Sequence, residues 1–455
     1  MVLLDILIGL IGLGIVILVH EFGHFVAAKA CGIDVEVFSI GWGKKLVSFA
    51  FRGTEYRLSL FPLGGYCRMK GEEQLRHAIE NDESRIVTEK GSLFAAHPFK
   101  RLLTYLAGPV SNLVFSVVVL SIVWLVGFTF QSYSSRIAVL SDYPALTGNK
   151  SYPAAAAGLR SGDIITSIDG RAIHSFQDIE EMVAPNPGKS LAFAVKRGDA
   201  SLTIPVTPAL DRSTGAALVG ISPWIDPVVG SVRSDSSAAI AGLKPGDRIV
   251  IAGGHEIHNT LDLSTVLQSD PQKLPITYLR NGESYDATLI LSTPDKGAPS
   301  TGIAFKAVTF HSAAVGLGGA VLHGVNETAN TLVLTVKSIG LLFKGINLGQ
   351  AVSGPIRITY YVGEIAQAGF KLGFGEGIAS LFRFLCILSV ALFFMNLLPI
   401  PALDGGFIVL SLIELISGKS IRPRIFYRYQ MVGFILIFGL IILTTFNDVS
   451  FLINQ

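Results

Sequence analysis

The sequence predicts a polytopic α-helical membrane protein with four transmembrane helices, a membrane-associated β-hairpin or small sheet, and two exported α+β domains. Three observations carry this. Half of the 455 residues are hydrophobic and only 15% are charged, with a mean hydropathy of +0.53, which sets the chain apart from an average soluble protein. Uncharged apolar runs of membrane-crossing length recur along it. A long stretch between two of them repeats its own pattern.

Crossing the hydrocarbon core takes about 20 mostly apolar residues in a helix. Leu102 to Ser135 carries no charge, Phe384 to Leu403 lies between Arg383 and Asp404, and Tyr429 to Asn447 lies between Arg428 and Asp448. A fourth run, Ile6 to Val19, is shorter. It lacks the basic leader and small-residue cleavage site of a signal peptide and runs into His20 and Glu21, so it reads as a retained helix. His311 to Phe343 is apolar but glycine-rich and interrupted by Glu327 and Lys337, which fits interfacial helices, with a fifth span as the alternative.

Short loops rich in Lys and Arg stay cytoplasmic. Lys419, Arg422, Arg424 and Arg428 stand between the third and fourth spans without an acidic residue, which places that loop inside. By alternation the segment between the first two spans, with Lys44, Lys45, Lys100 and Arg101, is also inside, and Arg136 to Lys306 is outside. The expected order is a first span at 1–28, a β region at 29–100, a second span at 101–129 and exported domains at 130–210 and 211–308. Interfacial helices at 309–376, a broken third span at 377–416, a cytoplasmic loop at 417–428 and a last span at 429–447 follow. A net charge of +2, from 36 basic and 34 acidic residues without a long basic run, argues against a nucleic-acid partner and leaves the lipid bilayer as the expected surroundings. Cys31, Cys67 and Cys386 are far apart and form no CxxC pattern, so they read as three free thiols.

The repeat lies in the exported stretch. Pro153-Ala-Ala-Ala-Ala-Gly-Leu-Arg-Ser-Gly-Asp163 returns as Ser237-Ala-Ala-Ile-Ala-Gly-Leu-Lys-Pro-Gly-Asp247, each followed by strand-like residues and a glycine turn. The AGLxxGD pattern resembles bacterial PDZ domains, which implies a tandem pair with grooves for extended peptide C-termini, or else a structural spacer. Gly220 and Ile221 are assigned to the second groove's loop.

His20-Glu21-Phe22-Gly23-His24 is HExxH at the end of the first apolar helix. Positions i and i+4 share a helix face, so both imidazoles can reach one zinc ion, with Glu21 beside them as a general base for peptide hydrolysis. The motif arises by chance in about one chain in a hundred of this length, but ionisable residues are costly at the end of a spanning helix, and their setting raises its weight. Asp404 interrupts an apolar run and is the candidate third ligand. Pro399 and Pro401 break the helix before it and Gly405 and Gly406 follow it. The alternative is a helix cap facing water. One Zn²⁺ per chain is expected.

HExxH together with Asn396-Leu-Leu-Pro-Ile-Pro-Ala-Leu-Asp-Gly-Gly406 resembles the site-2 protease family, whose second motif is NxxPxPxLDGG. Phe61-Pro-Leu-Gly-Gly-Tyr-Cys-Arg-Met-Lys-Gly71, Ala107-Gly-Pro-Val-Ser-Asn112 and Ser353-Gly-Pro355 also resemble family segments. The resemblance implies intramembrane proteolysis in a bacterial inner membrane, with periplasmic PDZ domains and an active site towards the cytoplasm. The implied substrate is a transmembrane protein already trimmed by another protease, such as an anti-sigma factor or a remnant signal peptide. It implies that Asn396 holds substrate backbone, with Pro399, Gly64 and Gly65 in the same substrate-binding set. Glu55 to Leu60 alternates like a strand, either to pair with an unwound substrate or as a plain hairpin. Rival readings are a membrane-anchored PDZ adaptor with a structural or inactive zinc site and a metal transporter.

Overall fold

In the computed structural model, residues 2–148, 150–211, 216–269, 272–291, 301–342 and 354–453 are described. The chain divides into two compact units. The first takes the residues up to Thr129 and those from His311 onward, and the second is Phe130–Phe310.

The first unit opens with α1 (Val2–Cys31), which runs unbroken through the apolar stretch and HExxH. Two long strands follow, β1 (Val35–Phe51) and β2 (Thr54–Met69), joined by Arg52 and Gly53, both with positive φ. The strands bend on themselves. Val37–Ile40 of β1 pairs with Gly65–Arg68 on one side and with Glu55–Leu58 on the other, while Glu55–Leu58 also pairs with Val47–Ala50. The backbone of Glu55–Leu58 is therefore committed on both sides. Of the two readings of Glu55 to Leu60, pairing with a substrate or a plain hairpin, this arrangement favours the hairpin for Glu55–Leu58, which has a neighbour on each side. The outer arm is Gly65–Met69.

α2 (Pro98–Val126) begins with Pro98 in its first turn, where a missing N–H costs nothing, and ends before Gly127, whose φ is +78°. After the second unit the chain forms α3 (Leu317–Leu342), α4 (Pro355–Phe370), α5 (Phe374–Leu397), α6 (Asp404–Ser417) and α7 (Pro423–Ile453). Ser353 lies outside the described residues, but Gly354 and Pro355 open α4, where the Asp448 carboxylate of α7 accepts the N–H groups of Gly354, Ile356 and Arg357. Among the described residues, four helical segments are long and apolar enough to cross a membrane: Ile6–Cys31, Pro98–Val126, Phe374–Leu397 and Pro423–Val449. The apolar stretch read as interfacial helices, with a fifth span as the alternative, holds the long helix α3. Its Glu327 pairs with Arg383 of α5 at 2.7 Å and accepts from the Trp124 indole of α2 at 2.7 Å.

The second unit consists of two halves of one design. In the first, four strands lie in the order Arg171–Ala172, Ile164–Ile168, Leu191–Arg197, Ala200–Val206. The second repeats it with His255–Glu256, Arg248–Ala252, Lys273–Arg280, Glu283–Ile290. Each half has its own apolar core and one helix held by a capping box, Ser175 with Asp178 and Asn259 with Asp262. The aspartate of each Gly-Asp pair is buried, accepts a backbone N–H three residues before it, and receives two hydrogen bonds from an arginine at the end of a strand. Asp163 pairs with Arg197 at 2.8 Å, and Asp247 with Arg280 at 2.7 Å. That geometry explains the repeated AGLxxGD.

The boundary between the halves corrects the sequence reading. Ala217 and Val219 sit in the first core with Ile221 packed against it, and Ile221–Pro223 pairs with Ile137–Val139. The first half therefore extends past residue 210, and Gly220 and Ile221 belong to it. A returning strand is needed to close the first core. In the second half the equivalent segment is Gly302-Ile303, where Ile303–Phe305 pairs with Val229–Val232.

Candidate metal centre

His20 and His24 lie one turn apart on α1, both about nine-tenths buried or more at 6% exposure. Asp404 is brought to them by the break in the third span. α5 stops at Leu397, the chain passes through Pro399, Pro401 and a left-handed Ala402 (φ +72°), and Asp404 starts α6. A buried ion pair between Arg101 of α2 and Glu414 ties the far end of α6 in place, and Glu414 also accepts the N–H of Ile421 at 2.7 Å.

The three side chains converge. His20 Nε2 and His24 Nε2 are 3.1 Å apart, and they lie 2.9 Å and 3.4 Å from Asp404 Oδ2. One ligand atom from each residue falls within 4.8 Å of the others, the only such acidic, cysteine or histidine cluster among the described residues. Asp404 Oδ2 is buried yet makes no properly directed hydrogen bond. Two imidazole nitrogens and an orphaned carboxylate oxygen aimed at one point leave polar groups unsatisfied unless a cation sits between them. Two nitrogens and one oxygen suit zinc and leave a position open, so the residues fit the metal.

The surroundings fix each group. His24 Nδ1 meets the Thr104 carbonyl at 2.8 Å, which places its proton there and frees Nε2. Glu21 is not part of the cluster; its Oε2 accepts the Cys67 backbone N–H of the outer arm of β2 at 3.0 Å. Ser111 of α2 donates to the Val19 carbonyl at 2.8 Å, holding α1 just before the motif. Gly108 faces His24 so closely that a Cβ there would lie 2.3 Å from Nε2.

Of the other sequence candidates, Asn396 lies in the last turn of α5 and Pro399 in the break that follows, eight and five residues before Asp404. Gly64 and Gly65 lead into the outer arm that reaches Glu21. Gly220 and Ile221 are in the second unit's first half; Gly220 has φ +81° and a Cβ there would fall 2.1 Å from the Tyr152 side chain. Sequence reasoning did not assign Thr104, Gly108, Asn112 or the Cys67 amide. Thr104, Gly108 and Asn112 recur at i, i+4 and i+8 on α2, a small and polar stripe that was the available signal.

The model for peptidase family M50 matches residues 8–440. The chain belongs to peptidase family M50. A relative from Treponema pallidum (strain Nichols), named as a zinc metalloprotease, is 39% identical over 453 residues, covering 99% of this chain and all of its own length (100%). A second so named, from Borreliella burgdorferi, is 33% identical with 99% of each chain covered. The regulator of sigma-E protease RseP of Salmonella typhimurium (strain 14028s) is 29% identical with 97% of each chain covered. A PDZ domain of an SdrC-like protein from Listeria monocytogenes aligns with 18% of this chain and 90% of its own at 24% identity and a TM-score of 0.17. The site-2 protease resemblance read from the two motifs agrees with this membership, and the M50 chain is a membrane metalloprotease with zinc as the implied metal.

Proposed function

We propose that this M50 chain is an intramembrane endopeptidase that cuts within the transmembrane segment of a single-span protein already shortened by another protease. An anti-sigma factor or a remnant signal peptide is the substrate type. The observation that supports it most is the convergence of His20 and His24 of α1 and Asp404 of α6 on one point, with Glu21 on the position after His20. His20, His24 and Asp404 would hold one zinc ion, which when bound supplies Lewis-acid polarisation of the scissile carbonyl and an acidified water. Glu21 accepts the proton of the attacking water and returns it to the leaving amine, and the Cys67 N–H keeps its carboxylate turned to that task. A helical substrate hides its peptide bonds in internal hydrogen bonds and must be unwound locally. Asn396, Pro399 and the arm at Gly64 and Gly65 are suited to take up the freed backbone groups.

The two halves of the second unit act as a pair of PDZ domains on the periplasmic side of an inner membrane, with the cleavage site towards the cytoplasm. The basic loop from Lys419 to Arg428 supports that orientation. The pair serves as a filter that refuses untrimmed substrates. Phe130 and Phe310 stack with centroids 5.4 Å apart, so the ends of this insert are adjacent and it can be excised cleanly. Wild-type enzyme in proteoliposomes should cut a trimmed model substrate and spare an untrimmed one, and replacing residues 133–307 by a short Gly/Ser linker should permit cutting of both. Continued refusal by the shortened enzyme sinks the filter; no cutting of the trimmed substrate by wild type sinks the endopeptidase.

A further inference from the structure

We infer that Asn112 is the positioning residue for His20: its carboxamide oxygen accepts the Nδ1 proton of His20 and so turns the Nε2 lone pair towards the metal point. This rests on the zinc reading of the site. Asn112 is fully buried on α2, and its amide lies 3.4 Å from His20 Nδ1. Its backbone carbonyl is gripped by two hydroxyls, Ser116 at 3.0 Å and Ser389 of α5 at 3.1 Å, so the residue sits at the junction of α2 and α5 and cannot drift. Its side-chain Oδ1 is buried without a hydrogen-bond partner.

The chemistry of His20 decides which end of the amide faces it. Were the amide N–H to donate to Nδ1, the imidazole proton would sit on Nε2, 2.9 Å from Asp404 and 3.1 Å from His24 Nε2, where a metal ligand needs a lone pair. A half-turn of the carboxamide, which leaves its shape unchanged, puts Oδ1 on Nδ1–H and supplies the tautomer that binds metal. The same logic already operates one turn on, where the Thr104 carbonyl takes the Nδ1 proton of His24. Thr104 and Asn112 are eight residues apart on α2, with Gly108 between them leaving room for the His24 ring. One helix face thus sets the tautomers of both zinc-ligand histidines, although it contributes no ligand itself.

The test is zinc affinity of the full-length protein in detergent, measured by competition with a chelator, for wild type, Asn112→Asp and Asn112→Leu. A carboxylate accepts but cannot donate, so Asn112→Asp should bind zinc at least as tightly as wild type. Leucine fills the space and accepts nothing, and Asn112→Leu should bind about 10–100-fold more weakly, the cost of losing a partner that orients a metal ligand. Equal affinity for wild type and Asn112→Leu overturns the inference, and so does a loss of tenfold or more in Asn112→Asp, because that would mean the amide donates. Should Asn112→Leu fail to fold, the Asp comparison decides alone. Failure of wild type itself to bind zinc would instead strike the metal reading.

Discussion

Gly108→Ala is the sharpest perturbation the fold offers, because it adds one methyl group directly in front of a metal-facing nitrogen. The new Cβ would sit 2.3 Å from His24 Nε2, more than 1 Å inside the 3.4 Å at which ordinary contact begins. α2 cannot easily retreat: Thr104 and Asn112 flank the position and α5 is bonded to the Asn112 carbonyl. The imidazole must therefore swing away by about 1 Å, breaking either its bond to Thr104 or its convergence with Asp404. A misplacement of about 1 Å in catalytic machinery costs on the order of 10²-fold in rate. Zinc affinity should fall about 10–100-fold as the ligand geometry is spoiled. The assay pairs chelator competition with cleavage of a model transmembrane substrate. Gly439→Ala on α7, where nothing lies within 4 Å of the added methyl group, is the control and should leave both readouts unchanged. Zinc binding and turnover of Gly108→Ala within twofold of wild type would refute the argument that this face of α2 seats His24.

His20→Ala, His24→Ala and Asp404→Ala should each lower zinc occupancy, read by elemental analysis, since each removes one of three donors from the cluster. Full zinc in Asp404→Ala would assign the third ligand elsewhere. In the second unit, burial pushes the Asp247 carboxyl up, but the Arg280 hydrogen bonds and the Lys244 N–H outweigh it and hold the carboxyl below the usual aspartate range. A depressed carboxyl stabilises the fold above its unfolded value and loses that contribution as pH falls through the folded one. Amide exchange at Ile249 and Leu274 in the full chain should therefore accelerate below about pH 4 in wild type. In Asp247→Asn it should be faster at neutral pH with a flatter acid limb, and an identical pH profile in the two would count against this reading.

How far the site was legible follows from which groups leave a mark in sequence. HExxH is visible because two ligands on one helix face require a spacing of four, and Asp404 because a carboxylate stands out in an apolar run. The supporting groups leave little trace: Thr104 and Cys67 act through the backbone, and Gly108 acts by having no side chain. Alternation in Glu55 to Leu60 predicts a strand correctly, yet period alone does not tell how many neighbours a strand has, and here a bent hairpin surrounds it. The repeat was readable from AGLxxGD because a buried Asp–Arg pair and a glycine turn recur in both halves. The strand that closes each half comes from the far end of its sequence and carries only Gly220-Ile221 or Gly302-Ile303 as a shared mark, so the sequence alone places the first of these, Gly220-Ile221, in the wrong half.

The central claim is that His20, His24 and Asp404 hold a zinc ion while Glu21 moves the proton. Glu21→Gln separates the two roles, because it removes a base but no ligand. Purified wild type and Glu21→Gln should carry the same zinc, about one per chain, and only wild type should cut a reconstituted transmembrane substrate inside its apolar segment. Cleavage by Glu21→Gln at the wild-type rate, or active wild-type enzyme without zinc, would contradict the account.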